Sequence, residues 1–426
     1  MIYWAPFLHF YQPPTQFHAI LNKVCNESYR PLLKMLREHP CAKITMNICG
    51  VLTEMLNNHG DEDIINIIGE LAGKGRIEFA DSAKYHAILP LIPEKEMRRQ
   101  IELNNKINTY FFKDAYKPRG FFPPEMCYSD ETGDLLAGMG YEWTLISGVA
   151  CPEKWPIDVI YRIPQGIKVF YRSDILSNKI SFHNIDSAGF ISELLGLSKD
   201  GKDAYVITAM DAETFGHHIH NWEKLFLAEV YEMIDGAADY KAIKQRTDLA
   251  EAHREILSLA ETQIEVVTIS ELIEKFPMKD SRSPRPSSWS TTKDDIAKKN
   301  YYPLWQEKGN RIHDLQWKHM DICFELIDQA FELRDNEESK RFYDIARALL
   351  DRAIHSCQFW WANKGTGMWD INLINKGLAL QEEAILNTYK SIKVSDAADD
   401  TKSRLYYKVV SARDIAVKIR DLLLEP

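Results

Sequence analysis

The 426-residue chain is short of the features that most readily fix a function. No glycine-rich GxGxxG follows a strand-like run, and there is neither a phosphate-binding P-loop nor a GxSxG elbow, so dinucleotide, kinase and serine-nucleophile chemistries lose their usual signatures. The seven cysteines, Cys25, Cys41, Cys49, Cys127, Cys151, Cys323 and Cys357, are odd in number and form no CxxC pair. A disulfide framework or zinc ribbon is therefore not expected. No run of eighteen apolar residues occurs, which argues against a membrane span. The apolar start, IYWAPFLHF, has no basic leader or small-residue cleavage site, so a cytoplasmic protein in a reducing compartment is expected. Basic residues form no stripe interleaved with aromatics, and the net charge is −10; nucleic acid is not an expected partner. Internal repeats and low-complexity tracts are absent too.

What is present is a 45% hydrophobic, 27% charged chain rich in rings, with ten Trp, nineteen Tyr and eighteen Phe. That composition fits a globular enzyme able to stack weakly polar ligands such as sugars. Apolar strand-like runs alternate with helical spacing about seven times up to Phe276. Examples are Ile2 to His9, Lys43 to Ile48, Arg76 to Ala80, Tyr141 to Ile146 and Ala204 to Ala209. The alternation predicts an α/β fold, a parallel (β/α)7-type barrel over residues 1–277 with its site at the C-terminal face. Val159 to Tyr171 reads as a hairpin around Pro164-Gln165-Gly166. Residues 278–308 are rich in breakers and read as a linker, and 309–426 as a C-terminal α-helical bundle of four long helices.

The densest chemistry is Met210 to His218, MDAETFGHH, which follows the run Ala204 to Ala209. A rigid strand end can hold acid and base groups in fixed geometry. Asp211 therefore pairs in principle with Glu125, which follows the short strand Gly120-Phe121-Phe122 and the fixed backbone of Pro123-Pro124. Two carboxyl groups, one ionised and one protonated, are what cleavage at a glycosidic carbon needs. Against this stands the plain alternative of solvated surface carboxylates. His9, His86, His217 and His218 could ligate zinc with Asp211, but no HxxxH or HExxH spacing supports a metal. Hydrogen bonding to hydroxyls or structural packing are the other readings. Trp289, Trp360, Trp361 and Trp369 are either sugar platforms or core.

These residues carry a family resemblance. In order along the chain, His9-Phe10-Tyr11-Gln12-Pro13, Gly75-Arg76-Ile77-Glu78-Phe79 with Tyr85-His86, Phe121-Phe122-Pro123-Pro124-Glu125-Met126, Met210-Asp211-Ala212-Glu213-Thr214-Phe215-Gly216, and loosely Cys357 to Asn363, resemble the five motifs of glycoside hydrolase family 57. Tyr11 replaces the usual second histidine of the first motif, the two prolines replace a Trp-containing lead-in, and the fifth motif lacks its aspartate. The resemblance implies a barrel followed by a helical domain closing over the cleft. It also implies retaining, metal-free and cofactor-free chemistry on α-1,4-glucans or malto-oligosaccharides. Glu125 would be the nucleophile and Asp211 the acid/base, with their carboxyl groups about 5–5.5 Å apart. His9, Gln12, Glu78, His86, Glu213, His217, Trp360 and Trp361 would contact the sugar. An α-amylase-like hydrolase is the leading expectation. A 4-α-glucanotransferase or branching enzyme, and more distantly a metal-dependent carbohydrate deacetylase, are the alternatives. Oligomeric state is not written in the sequence.

Overall fold

The computed structural model describes residues 1–198, 201–236 and 259–425. They form two compact units. The first takes in Met1–Gln12, Gln16–Lys84 and Leu89–Trp289; the second takes in Pro13–Thr15, Tyr85–Ile88 and the chain from Ser290 onward.

The first unit is organised by one mostly parallel sheet. Its strands are β1 (Ile2–Phe10), β2 (Ile44–Ile48), β3 (Ile77–Asp81), β4 (Gly120–Phe121), β5 (Trp143–Ser147), β6 (Ile160–Arg162), β7 (Lys168–Arg172), β8 (Ala204–Asp211), β9 (Ile264–Val266) and β10 (Met278–Asp280). Seven run parallel in the order β8-β1-β2-β3-β4-β5-β7, with the short β9 also parallel to β1, as the strand–helix alternation predicts for a (β/α)7-type fold. β6 runs antiparallel to β7 and forms the expected hairpin; Gly166 supplies its left-handed residue at φ +87°. At the far edge, Ser173 N–H donates to Ile207 O (2.8 Å) and Arg172 Nε to Ala209 O (2.8 Å), tying the end of β7 to β8.

Side chains alternate between the two faces of these strands. On β1 and β8, Ala5, Phe7, Tyr205, Ile207 and Ala209 share a cluster with Phe122, Trp143, Leu145 and Phe170. Trp4, Leu8, Phe10, Val206 and Met210 pack in a second cluster with the surrounding helices. Both faces are buried, which is why the strands read as apolar runs. The same parity carries His9, Asn47 and Asp211 onto the inner face, at the C-terminal ends of their strands.

The breaker-rich stretch read as a linker belongs to this unit as far as Trp289. Its backbone is used by the first unit's strands and loops: β10 pairs with β6, Arg285 N–H donates to Ala150 O (2.9 Å), and Ser287 pairs with Tyr128. The sequence also predicts two helices between the 218 loop and Ile264. The first spans Glu223–Asp235, beginning as a π-helical segment, and the second lies outside the described residues.

The second unit contains four long helices, Arg311–Leu333, Glu337–Ala353, Ile371–Val394 and Asp399–Leu424. Asn310, Asn336 and Asp370 cap the first three by accepting backbone N–H groups. The helix expected over Ser339 to Phe359 breaks after Ala353 and resumes as Cys357–Trp360. No proline or glycine marks the break. Instead Ser356 N–H donates to His86 O (3.1 Å) and His355 pairs with Ala87, so a distant segment takes the backbone groups that a helix would use. Among the described residues no helix is long and apolar enough to cross a membrane, and all seven cysteines are free.

Candidate active site at the strand ends

Asp211 is the last residue of β8 and lies in register with His9 of β1. It keeps some accessible surface but is densely surrounded by protein, and this desolvation pushes its carboxyl up to about 6. The buried guanidinium of Arg172 pulls the other way. Arg172 ends β7 and is held by Ala209 O, Asp174 (3.0 Å) and Asn178 (2.8 Å). His9 is 3% exposed, and its Nδ1–H donates to Asn47 Oδ1 at 2.9 Å. Burial lowers its pKa to about 4 despite that bond, so the ring is neutral near pH 7.

Beyond Asp211 the chain turns through Ala212–Thr214 and buries Glu213 (5% exposed). Gln12 Nε2 donates to Glu213 Oε1 at 2.7 Å, and Tyr29 O–H donates to the same oxygen. Burial first, and the negative charge of Asp211 second, raise Glu213 further than Asp211, to about 8. This turn is pinned against the helical segment Cys25–Tyr29: Ser28 Oγ donates to Ala212 O (2.9 Å). A Cβ at Gly216, where φ is +109°, would lie 1.9 Å from Glu27 O, so only glycine fits. His217 Nδ1 donates to Glu27 Oε2 (2.6 Å), while His218 is exposed.

Glu125 sits in the tight turn Pro124–Met126 after β4. Pro123 fixes an extended entry, and Glu125 and Met126 are both left-handed, at φ 58° and 50°. Consecutive non-glycine residues there are strained, a condition found where a structure must aim a functional side chain. Glu125 is 7% exposed, and Trp289 Nε1 donates to its Oε2 at 2.9 Å. The Trp289 ring stands edge-on to His9 (centroids 6.0 Å) and Phe122 (6.1 Å), and His9 stacks on Phe122 (5.0 Å). Glu125, Trp289, His9 and Asp211 thus form a continuous set of neighbours.

The other expected contact residues have the following neighbours. Glu78 shares the inner face but belongs to a lower layer, three residues before the end of β3. Its Oε2 accepts from Thr45 Oγ1 (3.0 Å) and Ser270 N–H (3.1 Å), at the start of the helix Ile269–Lys275. These bonds fix Glu78 in that lower layer; the motif spacing did not reveal its depth. His86 belongs to the second unit, where Nδ1 hydrogen bonds with Ser356 Oγ (2.9 Å). Trp360 and Trp361 are there as well, ring to ring at 5.2 Å. Trp361 packs on Ile312, Ile374 and Leu378, whereas the Trp360 indole N–H has no hydrogen-bond partner among the described residues. His217 is committed to Glu27. Among the described residues no three His, Cys, Asp or Glu side chains gather as a metal site.

Sequence reasoning missed Asn47, Tyr29 and Arg172 and did not assign Trp289 to Glu125. Strand parity could have found Asn47, two residues beyond Thr45 on the inner face. Nothing in the sequence pointed to Tyr29 or joined Trp289 to Glu125.

A mostly parallel α/β sheet with carboxyl groups and a neutral histidine at its strand ends defines the class, a (β/α)7-type fold. The model of glycosyl hydrolase family 57 matches residues 6–283, and the chain belongs to that family. An α-amylase of Pyrococcus abyssi is 26% identical over 242 residues, 53% of this chain and 35% of that protein. A 4-alpha-glucanotransferase of Thermococcus litoralis is 26% identical over the same length, with the same coverage. The chain therefore spans about a third of the length of these curated relatives. The solved branching enzyme of this family from Pyrococcus horikoshii superposes with a TM-score of 0.69 at 16% identity, covering 98% of this chain and 95% of that one. That likeness is one of fold.

Proposed function

We propose that the protein is a retaining glycoside hydrolase acting on α-1,4-glucans through a covalent glycosyl-enzyme. The observation that carries this reading is that two carboxyl groups, Glu125 and Asp211, stand just past strand ends of one sheet with His9 among their neighbours. Asp211 is raised toward neutrality by desolvation, while Glu125 is held by an uncharged N–H donor. Asp211 is thereby suited to donate a proton, and the family resemblance gives Glu125 the part of nucleophile.

In the first step a Glu125 oxygen bonds to the anomeric carbon as the bond to the leaving oxygen breaks, and Asp211 gives that oxygen its proton. In the second step Asp211 takes a proton from the incoming hydroxyl, whose oxygen displaces Glu125 and restores the original anomeric configuration. His9, neutral and hydrogen-bonded to Asn47, and Glu213 with Gln12 would hold sugar hydroxyls. A water acceptor gives hydrolysis and a sugar acceptor gives transfer. The relatives named as 4-alpha-glucanotransferases keep the second outcome open.

Incubation with maltoheptaose followed by product sizing tests the proposal. Only shorter products mean hydrolysis, and a ladder above seven sugars means transfer. Glu125→Gln and Asp211→Asn should each lower kcat/KM by at least roughly 1,000-fold. Activity within tenfold of wild type in either variant would overturn the assignment.

A further inference from the structure

We propose that Trp289 is the positioning residue of the Glu125 carboxylate, setting both its orientation and its charge state. The inference rests on the reading of Glu125 as nucleophile. Trp289 holds Glu125 twice: its indole Nε1–H donates to Oε2 (2.9 Å) and its backbone N–H donates to Glu125 O (3.1 Å). The two bonds bracket a residue whose left-handed backbone is costly for any side chain with a Cβ. The indole is fixed in turn. Phe122 and His9 present their rings at 66° and 77° to it, and two backbone hydrogen bonds join Ser287, two residues before Trp289, to Tyr128, three after Glu125.

The chemistry of an indole fits this position. It donates only, and it carries no charge. A hydrogen bond to the ionised carboxylate keeps it anionic at lower pH. A lysine or arginine there would do the same but would place a full positive charge beside a carbon that itself becomes cationic in the transition state. When the glycosyl-enzyme is cleaved, the carboxylate regains its charge, and the same N–H is already aimed at it. One fixed donor therefore serves both steps without moving.

The test installs L-3-benzothienylalanine at position 289, which exchanges the N–H for sulfur with little change of shape, alongside Trp289→Phe. The acid limb of the kcat/KM profile on maltoheptaose should move to higher pH. Loss of one hydrogen bond to a charged group should lower kcat by roughly 10–100-fold, with KM changed far less. The benzothienyl variant should stay folded at the assay temperature, with a Tm below wild type at neutral pH by no more than the loss of one hydrogen bond to an ionised group requires. In a Glu125→Gln background the same replacement should leave the residual rate unchanged. A benzothienyl variant with the wild-type pH profile and kcat within twofold, while Glu125→Gln is inactive, overturns the positioning role alone. An active Glu125→Gln overturns both readings.

Discussion

Asn47 Oδ1 lies 2.9 Å from His9 Nδ1, and this contact decides which ring nitrogen of His9 carries the proton. Asn47 Nδ2 faces Cys49 Sγ (3.8 Å), which sets the amide with its oxygen toward His9. The ring donates through Nδ1 and offers Nε2 as an acceptor, a state that burial preserves by holding the pKa near 4. Asn47→Asp puts an anion where the amide oxygen was. The His9 pKa should then rise by about one to three units. NMR titration of His9 in the variant checks this, and an unmoved or lowered pKa would contradict it.

Asp211 must be protonated to act as an acid, so kcat/KM should fall as pH rises through about 6. Arg172 favours the ionised form, so Arg172→Gln removes that pull and lets the Asp211 pKa climb. The basic limb of the kcat/KM profile should move to higher pH. A limb that stays in place or moves to lower pH would show that Arg172 does not tune Asp211.

Glu213 gives a stability test. Its folded-state pKa, about 8, stands above the ordinary glutamate value, so folding binds its proton more tightly than the unfolded chain does. Stability from this source is complete below the unfolded value and lost as pH rises from about 4.3 toward the folded one. Glu213→Gln retains an oxygen for Gln12 and Tyr29 but cannot ionise. Its Tm relative to wild type should therefore improve between pH 4 and 8, as measured by paired thermal melts. A difference independent of pH, or one that worsens over that interval, would refute the account.

Gly216→Ala should destabilise the fold by at least about 2 kcal/mol, combining a left-handed backbone with a Cβ driven into Glu27 O. Denaturant unfolding measures it. A loss under about 0.5 kcal/mol would mean the Glu27 turn yields easily.

The strand-and-helix alternation made the sheet legible, because strands buried on both faces must be apolar throughout. The carboxyl groups of Glu125 and Asp211 could be singled out because each stands just past a strand. Depth was less readable. Glu78 and Asp211 share the inner face, and only strand register reveals that Glu78 lies in a lower layer. Long-range partners were not readable at all. Ser356 bonds to His86 across 270 positions, and Trp289 bonds to Glu125 across 164. In the second case a run of prolines and serines hid an ordered segment, since composition reports flexibility in isolation and not backbone groups satisfied by distant loops.

The place of Trp289 in the chain bears on how the first unit could be made to stand alone. Cutting after Pro277, where the composition changes, would keep all seven parallel strands yet discard β10 and the indole that grips Glu125. Such a fragment could fold and still be slow, with a carboxylate free to swing. Extending it by twelve residues, to Trp289, restores the donor, so a fragment of the first unit meant to keep the Glu125 side chain tethered has to reach that position.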